Sequence, residues 1–419
     1  LWHDEIILPL ATDQLVGQLR SSAPDNVLEF SFPEVLIRDA ARLIRTEENV
    51  LARLSAVVSS GATEMHATAA SLLDAADFGW RPAQPPEATG WRVLLPHKRI
   101  IGPRLYGAFL RDAAWPGIDL SRFEFGYADL SGSDLTGAKL DVAFAAFANL
   151  RAATLTSASM EQIYADDACL AGADLSHVLA SRRQFQNANA ERACFEGAML
   201  KGASFHGANL KGARFVRANL SGAGLVAAEI EGADFSQVEF RGARLTGLVL
   251  SKAEFRQCSF REAQLLRCDL EGMVLPGADF READLKGALL TGSVMPHADF
   301  RGANLVKTGV AEIELENADL REANLRGASF HMGSSRSGLV DSPIASFGTR
   351  TGFYTDDYNE QDFKSLEEIR KANLRGADLR GANIDGVDFY LVDLRDALYD
   401  ASQEQQLRST GAILESRVP

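Results

Sequence analysis

The stretch Ala203–Leu225, ASFHGANLKGARFVRANLSGAGL, places a large apolar residue at every fifth position (Phe205, Leu210, Phe215, Leu220, Leu225) and a small one two places before each. Neither regular element repeats in this way. An amphipathic helix returns its apolar face about every 3.6 residues and a half-buried strand every second residue. A period of five describes a chain that turns inward once per repeat, with two positions in five facing a narrow core.

Counting outward from this stretch, every multiple of five from Leu105 to Phe330 is such a centre, 46 units without insertion or deletion. Most centres are Leu or Phe; Trp115, Ala145, Met160, Ala165, Ala180, Ala190, Ile230 and Val310 are also apolar. Asp or Asn often precedes the centre, as at Asp129, Asn209 and Asp284, and Gly often follows two places after it. These residues favour turns, because Asx side chains bond nearby backbone and Gly accepts unusual dihedrals. Arg241, Arg261, Arg281, Arg301 and Arg321 recur at every fourth unit. The pattern predicts a solenoid with four sides per coil, its coils paired about 4.8 Å apart and the first array roughly 55 Å long.

The units ADLSG, ANLKG, ADLKG, ANLRG and ADLRG follow the pattern A-(D/N)-L-x-x, and in this the chain resembles the pentapeptide-repeat family over about three fifths of its length. The resemblance implies a right-handed quadrilateral β-helix. The fold class expected is mainly β, with a small helical N-terminal domain and a C-terminal capping helix.

Five segments are expected. Residues 1–90 form the helical domain, in which Pro33 starts a helix whose apolar face is Val35, Leu36, Ala40, Leu43 and Ile44, and TEMHATAASLLDAADF forms another. Residues 91–330 carry an approach strand, WRVLLPHKRII, and the main array. Residues 331–370 are a long insertion ending in a short helix, because the period stops at Phe330 and resumes at Leu374 with its register moved by four. Residues 371–400 are the final coils of one continuous solenoid. Residues 401–419 cover the last coil, whose backbone would otherwise be open to another strand.

Composition narrows the function. The net charge of −14 is spread as about −3, −6 and −5 over 1–104, 105–330 and 331–419, so no segment is a basic nucleic-acid footprint. The four cysteines lack paired spacing, which suggests a reducing compartment without disulfides or a metal framework. No apolar run approaches a membrane span, and the opening LWHDEIILPL lacks the basic start of a secretory leader. The chain begins at Leu1 rather than Met, which leaves open whether residues precede it. A cytoplasmic location follows, with delivery by a secretion system using no cleavable leader as an option that the resemblance implies.

No phosphate loop, nucleophile elbow, zinc motif or dinucleotide fingerprint occurs, and GSSRSG at 333–338 lacks the spacing of a serine nucleophile. A core filled by Ala, Leu and Phe leaves no catalytic pocket, so no enzyme activity, cofactor or metal is expected. The arginine column reads as a solvated salt-bridge network, given Glu239, Asp279, Asp299 and Asp319 on the same wall. Function is expected on the outer surface, as non-enzymatic binding of a protein partner of unknown identity. The resemblance allows an effector or adaptor role for a secretion system. The competing reading, also from the resemblance, is regulation or protection of DNA gyrase by imitation of duplex DNA; against it, the array holds 29 acidic and 23 basic residues, a weak field for such a mimic.

Three sets of residues break the polar rule of the outer walls. Val274, Leu289 and Val294 stand where Asp or Asn is usual, with Pro276 and Pro296 nearby, and would meet either the chain's own insertion or another protein. Tyr127, Phe144, Phe147 and Tyr164 form a second set; they either turn inward through a bulge beside the small centres Ala145 and Ala165, seat the N-terminal domain, or bind a partner. The third set is Phe353, Tyr354 and Tyr358 in the insertion, either tucked against the wall or offered to a partner.

Overall fold

The computed structural model describes residues 2–21, 25–30, 32–58, 65–76, 80, 105–181, 185–330 and 372–415. The chain divides into two compact units, Leu1–Arg214 and Phe215–Pro419.

The first unit begins with helices α1 (Trp2–Arg20), α2 (Asp25–Leu28), α3 (Glu34–Ile44), α4 (Glu48–Val58) and α5 (His66–Ala75). Their shared core is Leu15, Val16 and Leu19 from α1, Leu36, Ile37, Ala40, Ala41 and Ile44 from α3, Leu51 and Leu54 from α4, and Leu72 and Leu73 from α5. The apolar face of α3 is therefore rotated from the one expected, and Val35 and Leu43 are exposed. Arg53 closes the end of α1 by donating to the carbonyls of Ser21 at 2.6 Å and Leu19 at 3.0 Å, where orphan acceptors and the negative end of the helix dipole favour a cation.

From Leu105 the chain coils. Among the described residues the units make β-turns, as where Ala108 N–H donates to Leu105 C=O at 3.0 Å, and, except at Lys252, the turn's third residue has positive φ, as at Gly107 (φ 69) and Asp112 (φ 58). That is the requirement of a type II turn, which explains the Gly preference two places after each centre. The residue before the centre pairs in parallel with its equivalent four units on, Asp129 with Asn149 and Asn149 with Cys169. These Asp and Asn residues are thus wall positions rather than corners. Their side chains still serve the corner: Asp129 Oδ1 accepts the N–H of Ser131 at 3.1 Å. Each side of a coil contributes one paired residue, so among the described residues the walls are ladders of single bridges rather than multi-residue strands.

The helices close the start of the solenoid. Phe109 N–H, which in any later coil would donate to a carbonyl of the coil before it, donates instead to Ser71 Oγ of α5 at 2.9 Å. The core residue Trp115 donates from Nε1 to Trp80 C=O at 3.1 Å, with the two rings edge to face at 5.7 Å. Arg111 joins Glu34 of α3 at 2.9 Å and also bonds Asp129.

In the second unit four ladders run along the four sides, among them Asp279–Asp299–Asp319–Asp378 and Asp284–Asn304–Asn324–Asn383. Inside, Phe240, Phe260, Phe280 and Phe300 stack one per coil at 5.4, 5.1 and 4.9 Å, within 5° of parallel. From Ser259 each wall residue pairs four units ahead as far as Ser329, and the next coil is then reached across the break, in the pairs Glu314–Asn373, Asp319–Asp378, Asn324–Asn383 and Ser329–Asp388. All four pairs skip the same length of chain, so one insertion leaves the coil at Phe330 and returns at Ala372 without disturbing the stack.

The last coil is closed by α6 (Ala401–Thr410). Gln403 Nε2 donates to the carbonyls of Leu379 and Ala382, both at 2.9 Å, and Gln406 Nε2 to that of Ile384 at 2.7 Å. Asp400 and Gln403 form a capping box at the start of α6, and Gly411 (φ 84) ends it in the left-handed conformation that Gly accepts most easily.

Candidate protein-binding surfaces

Tyr127 and Phe147 occupy the third position of equivalent turns one coil apart, and their rings stack at 4.7 Å and 14°. Tyr106 joins the column at 5.2 Å from Tyr127. All three are substantially exposed, at 51% for Tyr106, 54% for Tyr127 and 47% for Phe147. Both Tyr127 (φ 59) and Phe147 (φ 60) are in the left-handed region, which costs a bulky L-residue about 1–2 kcal/mol.

Phe144 and Tyr164 lie on the adjoining wall, paired with each other in the parallel ladder and with rings 6.5 Å apart. They are half-buried and stay outside, with the small centres Ala145 and Ala165 in register beneath them. The inward bulge, one of the three readings of this set, does not form, and the two residues keep their places in the ladder. The two aromatic sets meet at Gly126, where a Cβ would stand 3.0 Å from Tyr106 Cδ2 and 3.1 Å from Phe144 Cε1. A glycine is what allows this approach.

Among the described residues, hydrogen bonds and a ring contact from the N-terminal region reach the first coil at Phe109, Arg111 and Trp115. Tyr106 and Gly126 escaped the sequence reading. Their signal is a diagonal, since Tyr106 stands one position off the column that Tyr127 and Phe147 share.

In the second unit Val274 pairs with Val294 on one wall, while Leu289 stands on the preceding wall between Asp269 and Gly309. The structure therefore brings the three to the two sides of one corner. Val274 is 65% exposed, and Leu289 and Val294 are half-buried. Beside Val274 the ladder opens. The turn at Leu250–Lys252 is a 3-10 turn, and no bridge joins Glu254 to Val274 among the described residues. A groove of about 210 Å³ lies there, lined by Ser251, Ala253, Phe255, Glu271 and Met273 along with Val274. Partial burial, together with Asp269 and Glu312, holds the Glu271 carboxyl above its ordinary range. The sequence offers no signal for this turn, because Lys307, at the place equivalent to Lys252, does adopt positive φ (56). Phe353, Tyr354 and Tyr358 lie outside the described residues.

The arginine column is a laced ladder. Arg281 donates to Asp279 from Nε and Nη2 at 2.8 and 2.7 Å and approaches Asp299 of the next coil at 3.6 Å. Arg301 and Arg321 repeat the arrangement on Asp299 and Asp319, and Arg380 bonds Asp378. Hydrogen bonds from these arginines hold Asp279, Asp319 and Asp378 below the usual carboxylate range. Ser259 interrupts the series, so Arg261 turns to Glu282 at 3.3 Å and pairs from Nε with Glu262 at 3.4 Å. A second groove, of about 410 Å³, follows this column.

Among the described residues no group of three or more His, Cys, Asp or Glu could hold a metal ion, and no helix is long and apolar enough to cross a membrane. Burial pushes the thiols of Cys258 and Cys268 up to about 12, so neither is a nucleophile.

Comparison with known families decides the assignment. The family described as Pentapeptide repeats (8 copies) matches residues 104–141, 146–179, 168–207, 275–308, 311–332 and 369–397, and the related Pentapeptide repeat region matches 188–265. The chain belongs to the pentapeptide-repeat family. Solved structures similar to this pentapeptide-repeat protein include HetL, a pentapeptide repeat protein involved in heterocyst differentiation regulation from the cyanobacterium Nostoc sp. Strain PCC 7120. It is 26% identical over 54% of this chain and 88% of its own, with a TM-score of 0.21. QnrB1, a plasmid-mediated fluoroquinolone resistance protein, is 15% identical over 42% of this chain and 92% of its own, with a TM-score of 0.18. A pentapeptide repeat protein from the Arabidopsis thaliana thylakoid lumen is 27% identical over 25% of this chain and 66% of its own, with a TM-score of 0.11. No curated protein matches the chain.

Proposed function

We infer that this pentapeptide-repeat protein is a non-enzymatic scaffold that binds a protein partner, its β-helix right-handed as family membership implies. The observation that carries the reading is the corner of Tyr106, Tyr127 and Phe147. These rings are about half exposed, stacked on one another, and in two cases held on a backbone conformation that Asn or Gly would adopt at lower cost. Folding gains little from them there, whereas a preorganised aromatic surface on a rigid scaffold is what a protein interface uses as its anchor. The filled interior supports the non-enzymatic part of the reading, since the centres of successive coils are buried side chains in contact.

The gyrase reading draws less support. Imitation of DNA requires uncompensated acidic rows, and Asp279, Asp299, Asp319 and Asp378 each carry an arginine from their own coil.

The test is quantitative capture from the native host lysate with the full chain as bait, beside a Tyr127→Asn/Phe147→Asn variant. Both substitutions suit positive φ, so the variant keeps its fold while losing the rings. A partner held by the first and lost by the second supports the proposal; equal capture overturns the assignment to this corner. Recovery of gyrase by both, with a salt-sensitive effect on supercoiling, would favour the alternative.

A further inference from the structure

The corner between Leu289 and Val294 differs from every other corner of the second unit, and it is independent of the aromatic corner. The first turn positions along it are Glu231, Ser251, Glu271, Thr291 and Ala311, changing from polar to small as the column advances. Residues at such positions project from the coil, and their counterparts Arg281 and Arg301 are more than a third exposed. Yet Thr291 is 7% exposed, Ala311 1%, and the wall residue Ser329 beside them 7%. Gly309, which pairs with Leu289, is buried as well. The next position in this column is residue 331, where the insertion leaves the coil, and the chain re-enters at Ala372 on the adjoining wall.

We propose that the face formed by Leu289, Thr291, Val294 and Ala311 is the seat of the chain's own segment 331–371. Three features select this occupant. The face begins at the root of that segment and recedes from it along one column. Its residues are small or aliphatic where charged ones are the rule, which suits a segment containing Leu339, Val340, Ile344, Phe347 and Phe353. Reach is not limiting, since Val274 lies about three coil spacings, or roughly 14 Å, from the root, and a segment as long as 331–371 spans far more. Val274, at 65% exposure, then marks the far margin of the seat rather than its middle.

The test is thiol accessibility resolved by peptide mass spectrometry. Thr291→Cys and Ala311→Cys are made in the full chain and in a chain whose residues 331–371 are replaced by a regular two-residue corner, with Val274→Cys as the exposed reference. Both buried positions should react slowly in the full chain and about tenfold faster or more after the replacement, as removal of a docked segment requires, while Val274→Cys reacts quickly in both. Equal rates in the two chains, or protection that disappears on dilution and so comes from a second copy, would overturn the proposal. A photo-reactive residue at position 291 of the full chain covers the case in which the shortened chain misfolds. Its cross-links should fall within 331–371; cross-links to any other segment or to another molecule would refute the assignment.

Discussion

Glu314 pairs with Asn373, beyond the insertion, through the same parallel bridge that joins Val294 to Glu314 in adjacent uninterrupted coils. The β-helix thus treats the insertion as absent, and the hydrogen bond from Leu315 N–H to Asn373 C=O, at 2.7 Å, is as short as those in uninterrupted coils.

Replacing 331–371 by a two-residue corner should therefore leave the coil intact. Far-UV circular dichroism per coil residue and a single unfolding transition for the second unit are the expected results. Loss of the β signal would show that the insertion holds the coils on its two sides together.

The phenylalanine stack should dominate the stability of the second unit. Phe280 lies between Phe260 and Phe300 at 5.1 and 4.9 Å and is fully buried, so Phe280→Ala removes two ring contacts and opens a cavity. A cost of about 3–5 kcal/mol is expected from denaturant unfolding, against less than about 1.5 kcal/mol for the volume-conserving Phe280→Met. Equal effects of the two substitutions would mean that the ring stack contributes nothing beyond volume.

Capping by α5 and by Trp80 beyond it should be visible in two substitutions. Ser71→Ala removes the acceptor of Phe109 N–H, and Trp115→Phe keeps an aromatic core residue while removing the donor to Trp80 C=O. Each leaves a partly buried backbone group unpaired and should cost about 1–3 kcal/mol. Amide hydrogen exchange checks the location: protection should fall first in the coil that begins at Leu105.

Acid should weaken the second unit through its aspartates. The folded-state pKa values of Asp279, Asp319, Asp378 and Asp393 are lowered, first of all by hydrogen bonds from Arg281, Arg321, Arg380 and Arg395. Their contribution is fully present above the unfolded value, about 3.9, and is lost as pH falls through the lower folded values. Glu271, raised by burial, works the other way, favouring the fold at low pH, but it is a single group. Stability should be level from neutrality to about pH 4 and fall below it. Asp319→Asn should flatten this acid limb, and added salt should weaken the ladder at neutral pH. A stability that rose steadily on acidification would contradict the assignment.

Much of this architecture is legible in the sequence because the period is enforced by packing. The side chain of Phe260 stacks on its equivalents one coil before and one coil after, Phe240 and Phe280, so the stack, the Arg281–Asp279 ladder and the change of register after Phe330 can all be read by counting. What could not be counted are features that cross columns or break the turn. Tyr106 meets Tyr127 along a diagonal, and Gly126 matters only because Phe144 leans over it. Lys252 sits where many residues accept positive φ but does not do so itself, which opens the groove beside Val274. The rotated face of α3 was missed for a similar reason: Val35 and Leu43 fit a helical apolar stripe, but the positions of α1 and α5 decide which side of that stripe is covered.

If the exposed aromatic corner is a protein-binding surface, capture from the host lysate by the full chain and by its Tyr127→Asn/Phe147→Asn variant will separate the two, once matched unfolding curves establish equal folding. A specific partner should be held by the full chain and lost, by about tenfold or more, from the variant, as expected when anchor rings at the centre of an interface are removed. Equal recovery by the two chains would contradict a binding role for this corner.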